Sequence, residues 1–225
     1  MYFHLIILIS SFGLTYFLLR KYRKNNGINS NQIFDIYIYS FFLFFVFYKY
    51  GTVIFNLPQY LKNPTAIFWV AAGQIEAVFW GLIIVYFFLL IYLKKKKLLN
   101  FSFIEYLTLQ TLITLLIYLP FIPQYGKTTT MPWGISLPEG RFLYHPLHLY
   151  ETLLIFFILV IHYFLKDRWQ RLVYSYIGLG VGLMIISFFE YTLQKIFLFS
   201  ILQLISLISL LTGLFLIKIK KDIGI

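Results

Sequence analysis

The stretch from Leu147 to Leu165, LHLYETLLIFFILVIHYFL, decides the fold. Beyond Thr152 it is apolar apart from His162, and Lys166, Asp167 and Arg168 close it. About twenty such residues make a helix long enough to cross roughly 30 Å of hydrocarbon. Comparable runs occupy Tyr2 to Leu19, Ile33 to Phe47, Ala66 to Leu93, Phe103 to Ile122, Leu172 to Phe189 and Ile196 to Ile217. The expected fold is therefore all-α, a polytopic membrane helix bundle of about seven transmembrane helices. The second run is short and holds Asp35 near its start. In the sixth, Gly178, Gly180 and Gly182 stand on every other residue, a spacing that close helix packing explains.

Composition points the same way. The chain is 60% hydrophobic, 22% aromatic and 12% charged, more apolar surface than a soluble domain of 225 residues could cover. Residues 1–225 are expected to form a single integral-membrane domain. The first run has no basic stretch before it and no small-residue cleavage site, so it is expected to be a retained helix. Without cysteine the chain has no disulfide, no thiolate nucleophile and no Cys-based metal site.

The net charge of +11 is concentrated at span ends. Arg20, Lys21, Arg23 and Lys24 follow the first run, Lys94 to Lys97 the third, Lys166, Arg168 and Arg171 the fifth, and Lys218, Lys220 and Lys221 the last. Alternating passages put all of these on one side, the cytoplasm by the positive-inside rule. The amino terminus then faces outward and the carboxyl terminus inward. The same clusters attract anionic headgroups, and no nucleic-acid partner is implied.

Upstream of Leu147 the chain is polar. The outward-facing segment 123–146 runs into the fifth helix as YGKTTTMPWGISLPEGRFLYHPLHLYE, Tyr125 to Glu151. Its prolines rule out a continuous helix, and its aromatic residues favour packing at the headgroup level over disorder. Lys127, Arg141, His145, His148 and Glu151 hold most of the titratable chemistry outside the basic clusters. His145 and His148 are three apart, with no further ligands at a spacing that completes a metal site, so neither a metal nor a cofactor is expected. Tyr50 to Thr65, with Pro58 and Pro64, reads as an irregular outer loop, and Lys21 to Gln32 as a cytoplasmic loop broken at Gly27. Glu76 and Glu190 fall within apolar runs, where an ionisable residue is a functional candidate by default. Glu105 and Lys49 sit nearer span ends, where capping or snorkelling suffices, and His4 and His162 read as interfacial.

YGKTTTMPWG followed by HPLHLYE resembles the prolipoprotein diacylglyceryl transferase family, whose outer region carries a YGrxTxxPWG-like and then an HPxQLYE-like segment. NLPQYLKNPTAIFWVAAGQIEAVFWG is similar to that family's yxxNPxxIxxxWxGGxxxHGGxxG stretch, with Trp69 on its tryptophan and Gly81 on its last glycine. FFEYTLQ and Gln203 resemble its EffR region and a later glutamine. The resemblance implies seven spans with the amino terminus outside, in a bacterial cytoplasmic (inner) membrane. It further implies transfer of a diacylglyceryl group from a phosphatidylglycerol-like phospholipid to a cysteine thiol of a lipoprotein precursor.

The sequence departs from the family at the reaction centre. Glu76 stands in place of the HGG histidine. The signature GRxGNFxNxE, which supplies an arginine, asparagines and a glutamate, aligns upstream of Tyr125 on Leu115, Tyr118 and Pro123, where none of those polar groups stands. Two arginines flanking the glutamate matched by Glu190 meet Ile186 and Leu193. Arginines clamp phosphate bidentately, and losing one such donor costs on the order of a hundredfold. Substitutes are therefore sought within the resemblance. Glu76, His145 and Glu190 are the catalytic candidates. Tyr125, Gly126, Lys127, Arg141, His148, Tyr150 and Glu151 are the substrate-binding ones, with Lys127 and Arg141 for the anion. His145, Tyr150 and Glu151 would equally suit bracing of the loop on the fifth helix. The alternative is a catalytically degenerate paralogue that keeps the fold and binds lipid or another membrane protein.

Overall fold

A computed structural model describes residues 2–69, 75–96, 101–137, 141–191 and 199–223. The chain is mostly helical. A helix stands at each of the expected places: α1 (Tyr2–Leu18), α3 (Ser30–Phe55), α5 (Ile75–Lys95), α6 (Phe101–Tyr118), α7 (Leu147–Phe164), α8 (Arg168–Ser187) and α9 (Ile201–Ile223). Two short helices, α2 (Arg20–Asn25) and α4 (Leu57–Lys62), lie between them. Among the described residues, five helices, α3, α6, α7, α8 and α9, are long and apolar enough to cross a membrane. Large apolar side chains such as Phe42, Phe157 and Leu211 are exposed along them, as lipid-facing surfaces require.

Two expected loops prove more ordered. Instead of ending near Phe47, α3 continues through Lys49 and Gly51 to Phe55. Pro58 then falls in the first turn of α4, where its missing N–H has no intrahelical acceptor to serve, so it starts a helix there. Pro64 opens a 3-10 turn, Pro64–Trp69, so the first residues of the expected third span precede α5. Arg20–Asn25 is helical as well; the chain breaks at Gly27, whose φ of 62° lies in the left-handed region. Asn29 then caps α3, accepting from the Asn31 N–H at 2.9 Å.

The chain divides into two compact units. In one, α3 and α5 pair, with Gly51 against Ala77 and Gly81 against Phe47. This unit holds an apolar crevice of about 270 Å³ lined by Val46, Phe47, Tyr50, Val53, Ile54 and Ile67, among others.

The other unit contains α1, α2, α6 to α9 and a small sheet. Here α6 packs on α1, α7 and α8, and Leu112, Leu119, Ile155 and Ile158 form a core between α6 and α7. The alternating glycines of α8 serve two neighbours. A Cβ at Gly182 would run into Leu154 of α7, and one at Gly180 into Leu210 of α9. Ser206 of α9 uses that approach to donate to the Gly180 carbonyl at 2.6 Å. Trp169, Leu172, Val173 and Leu216 bury the α8–α9 seam.

The outer segment adds strands to an otherwise helical chain. They are β1 (Tyr125–Thr129), β2 (Ile135–Ser136) and β3 (Leu143–Pro146), antiparallel in the order β1-β3-β2. Thr128 pairs with Tyr144 and Tyr125 with Pro146, with a bulge between. Prolines exclude helix here, yet β-branched and aromatic residues on β1 and β3 suit a small pleated cap.

Candidate functional site

The sheet is fastened where α8 ends. The last carbonyls of a helix have no intrahelical partner, and Lys127 meets two that follow α8. Its N–H donates to the Phe189 carbonyl at 2.8 Å and its Nζ to the Phe188 carbonyl at 2.7 Å. A lysine there also complements the negative end of the helix dipole. Gly126 makes the approach possible, since any Cβ would collide with the Phe189 carbonyl. Glu190 is thereby held beside β1, its backbone N–H donating to the Ser187 carbonyl at 3.2 Å. Its Oε2 is buried and has no hydrogen-bond partner among the described residues.

The start of α7 closes the other side. The Leu147 N–H donates to the Gln124 carbonyl at 3.0 Å, and His148 Nδ1 lies 3.1 Å from both the N and the O of Gln124. The Tyr125 ring stands edge-on to His148 at 6.0 Å. Three residues along α7, Glu151 turns inward with His148; they are 8% and 6% exposed. Glu151 lies close enough to Glu190 for their charges to interact. On the adjacent face, Trp133 Nε1 donates to the Tyr150 hydroxyl at 2.9 Å, and that hydroxyl lies 2.9 Å from His145 Nδ1. The Phe189 ring packs on His145 at 4.7 Å.

Of the residues singled out from sequence, Tyr125, Gly126, Lys127, His145, His148, Tyr150, Glu151 and Glu190 therefore meet at one end of the unit. Arg141 is exposed on the approach to β3. Glu76 belongs to α5, and its side chain lies outside the described residues. Trp133 and Phe189 are the contributors that sequence reasoning passed over as site residues; the signal available was the PWG turn placing an indole N–H near HPLHLYE.

A second polar centre lies at the opposite, basic end, and here two readings are corrected: Glu105 as a span-end residue for which capping or snorkelling suffices, and His162 as interfacial. Glu105 is fully buried at 0% exposed. It accepts from the Tyr22 hydroxyl at 2.7 Å and from Arg171 Nη1 at 2.8 Å, with His162 Nε2 at 3.4 Å and Arg168 Nε at 3.7 Å. Arg168 also donates to Ser102 and to Asn26. Burial, together with the neighbouring carboxylate, pushes the Tyr22 phenol well above its ordinary range. Arg23, read as a topology charge, is buried too: its guanidinium lies 3.8 Å from the centroid of the Tyr16 ring and reaches the Tyr106 hydroxyl at 3.5 Å. A charge placed this deep persists only with partners, and α2, α6, α7 and α8 each supply a group.

Together these features define a multi-pass helical membrane protein with a polar cap gathering titratable side chains at one end. The description of the prolipoprotein diacylglyceryl transferase family matches residues 1–219. The chain belongs to that family. It is 26% identical over 181 residues to the phosphatidylglycerol–prolipoprotein diacylglyceryl transferase of Thermotoga petrophila, covering 70% of this chain and 59% of the relative. The enzyme of the same name from Finegoldia magna is 28% identical over 226 residues, covering 90% of this chain and 85% of the relative. The match thus spans less than two thirds of the Thermotoga protein's length.

Glu105 makes a prediction about stability. Glu105→Ala would strand two arginines beside an emptied buried site and remove about 3–5 kcal/mol, the usual consequence of breaking a buried ion pair. Thermal unfolding of the detergent-solubilised protein should show a clearly lowered midpoint; an unchanged midpoint would mean that the network adds nothing to stability.

Proposed function

We propose that this protein transfers a diacylglyceryl group from a phosphatidylglycerol-like phospholipid to the cysteine thiol of a lipoprotein precursor, at the outer face of a bacterial cytoplasmic membrane. Family membership supports the reaction class, as do the names of the relatives. The observation that carries the reading is the meeting of Lys127, His145, Glu151 and Glu190 beneath one polar cap. In this reading residues 1–225 form one integral-membrane domain of seven crossings. The amino terminus and the cap face outward, and the Glu105 end and the carboxyl terminus face the cytoplasm.

The chemistry can be assigned to groups present. The thiol sulfur attacks the glyceryl carbon of the phospholipid as its C–O bond to phosphate breaks. A C–S thioether forms and glycerol phosphate leaves. The thiol proton needs an acceptor, and we assign that role to Glu190, whose buried Oε2 has no hydrogen-bond partner among the described residues. The negative charge growing on phosphate needs donors. Lys127 has two N–H bonds left after serving Phe188, and the exposed Arg141 offers a second cation on the approach to β3. Glu76, which stands where the family's HGG histidine would fall, remains an acid or base candidate on the resemblance alone. A second reading, a non-catalytic lipid-binding or assembly partner, is favoured by one observation, the absence of the family's arginines at Leu115, Ile186 and Leu193.

Orientation has a direct test because the chain lacks cysteine. In intact cells, Thr130→Cys should react with a membrane-impermeant maleimide, and Asn25→Cys only after permeabilisation; the reverse pattern would invert the topology. For function, the protein is expected to restore growth to a strain depleted of its own prolipoprotein diacylglyceryl transferase, and Glu190→Gln to fail. A wild-type chain that inserts in the membrane and does not restore growth would favour the non-catalytic reading.

A further inference from the structure

We propose that Tyr150 holds His145 in the tautomer that carries its proton on Nε2, so that His145 acts as a hydrogen-bond donor to phosphate and does not take the thiol proton. The second half rests on the transfer reaction proposed above. The first stands on hydrogen-bond accounting within the cap.

An indole Nε1–H is a donor only, while a phenol has one hydrogen and two lone pairs. Trp133 Nε1 donates to the Tyr150 oxygen at 2.9 Å, which occupies one lone pair. The hydroxyl hydrogen then has one acceptor in contact among the described residues, His145 Nδ1 at 2.9 Å. A ring nitrogen that accepts carries no proton, so the neutral imidazole holds its proton on Nε2. The opposite arrangement directs two N–H groups at one oxygen and leaves the hydroxyl hydrogen without an acceptor among those residues. Phe189 holds both rings in place, 4.7 Å from His145 and 6.0 Å from Tyr150, centroid to centroid. Phe189 is itself held by the Lys127 N–H. Trp133, Tyr150 and Phe189 thus act on His145 from three different segments: the turn before β2, α7 and the end of α8.

The tautomer separates two roles that sequence leaves open. With Nδ1 occupied by the tyrosine hydroxyl, the remaining nitrogen presents N–H, the group that a non-bridging phosphate oxygen accepts. It supplies one donor to a site that lacks the family's arginines. In the transfer step the thiol proton passes to Glu190, the C–O bond to phosphate breaks, the C–S bond forms, and His145 keeps its own proton throughout. Tyr150 is then a positioning residue and Trp133 a support for it.

Two measurements on the full-length protein in detergent test this. Nitrogen-15 NMR of labelled histidines, with His145 assigned through His145→Gln, should show the Nε2–H form in the wild type and a mixture of tautomers both in Trp133→Phe, which frees the hydroxyl oxygen to accept from Nδ1, and in Tyr150→Phe. A wild-type His145 protonated on Nδ1 overturns the tautomer. Thioether formation from phosphatidylglycerol and a lipobox peptide reads the role. His145→Ala should lose on the order of a hundredfold, while His145→Gln, which keeps an N–H donor and cannot accept a proton, should retain about tenfold more than Ala. Equal loss in the two variants overturns the donor role. A wild type that makes no thioether removes the transfer reading and the donor role with it, while the tautomer stands or falls by the NMR result.

Discussion

Lys127 closes the end of α8 with two donors, and the arrangement of the outer site follows from that junction. A helix that stops at the edge of a membrane leaves carbonyls with neither intrahelical partners nor bulk water. The backbone N–H and the ammonium of one residue meet the carbonyls of Phe189 and Phe188. Because Gly126 has no side chain, β1 lies directly against this turn. Once β1 is fixed, Phe189 faces His145 and Tyr150, and Glu190 comes within electrostatic range of Glu151. The same few contacts satisfy a helix end and assemble a polar site. Lys127 is for that reason both a structural group and a candidate for phosphate binding.

The opposite end obeys the same constraint with charge in place of backbone. Glu105 sits in the first turns of α6, out of contact with water, and draws Tyr22, His162, Arg168 and Arg171 around it. Those partners join α2, α6, α7 and α8. Between the two ends the unit is packed by small residues: Gly180 and Gly182 let α9 and α7 approach α8 closely. Packing of this kind, with polar groups satisfied at both ends, is what holds helices together where lipid competes equally for apolar side chains. Basic residues at span ends thus have two roles here, since Arg23 and Arg171 are tied into the interior whereas Lys21 and Lys24 remain exposed.

Much of this was legible in the sequence because it depends on local pattern. Apolar runs of membrane length gave helices in the expected places, the alternating glycines of α8 lie at helix contacts, and the polar stretch before Leu147 gathers most of the candidate residues. What was not legible depends on pairings distant along the chain or on turn context. The prolines of the outer segment exclude helix without specifying the β1-β3-β2 order. Pro58 and Pro64 were read as loop signals, yet each sits where a helical turn begins, a position that tolerates proline. The Glu105 network joins residues 66 and 83 positions apart, so each partner taken alone resembles an ordinary interfacial charge. His145 and Tyr150 were recognised as candidates, but their division of labour emerges only with Trp133 in contact.

The central claim is that a member of this family lacking several of its arginines still carries out the transfer through groups under the outer cap. The most direct test is the mass of a cysteine-bearing lipobox peptide after incubation with phosphatidylglycerol and the purified full-length protein. A thioether-linked diacylglyceryl adduct, with glycerol phosphate released and both products lost in Glu190→Gln, is the predicted result. An unmodified peptide in the presence of folded protein would contradict it.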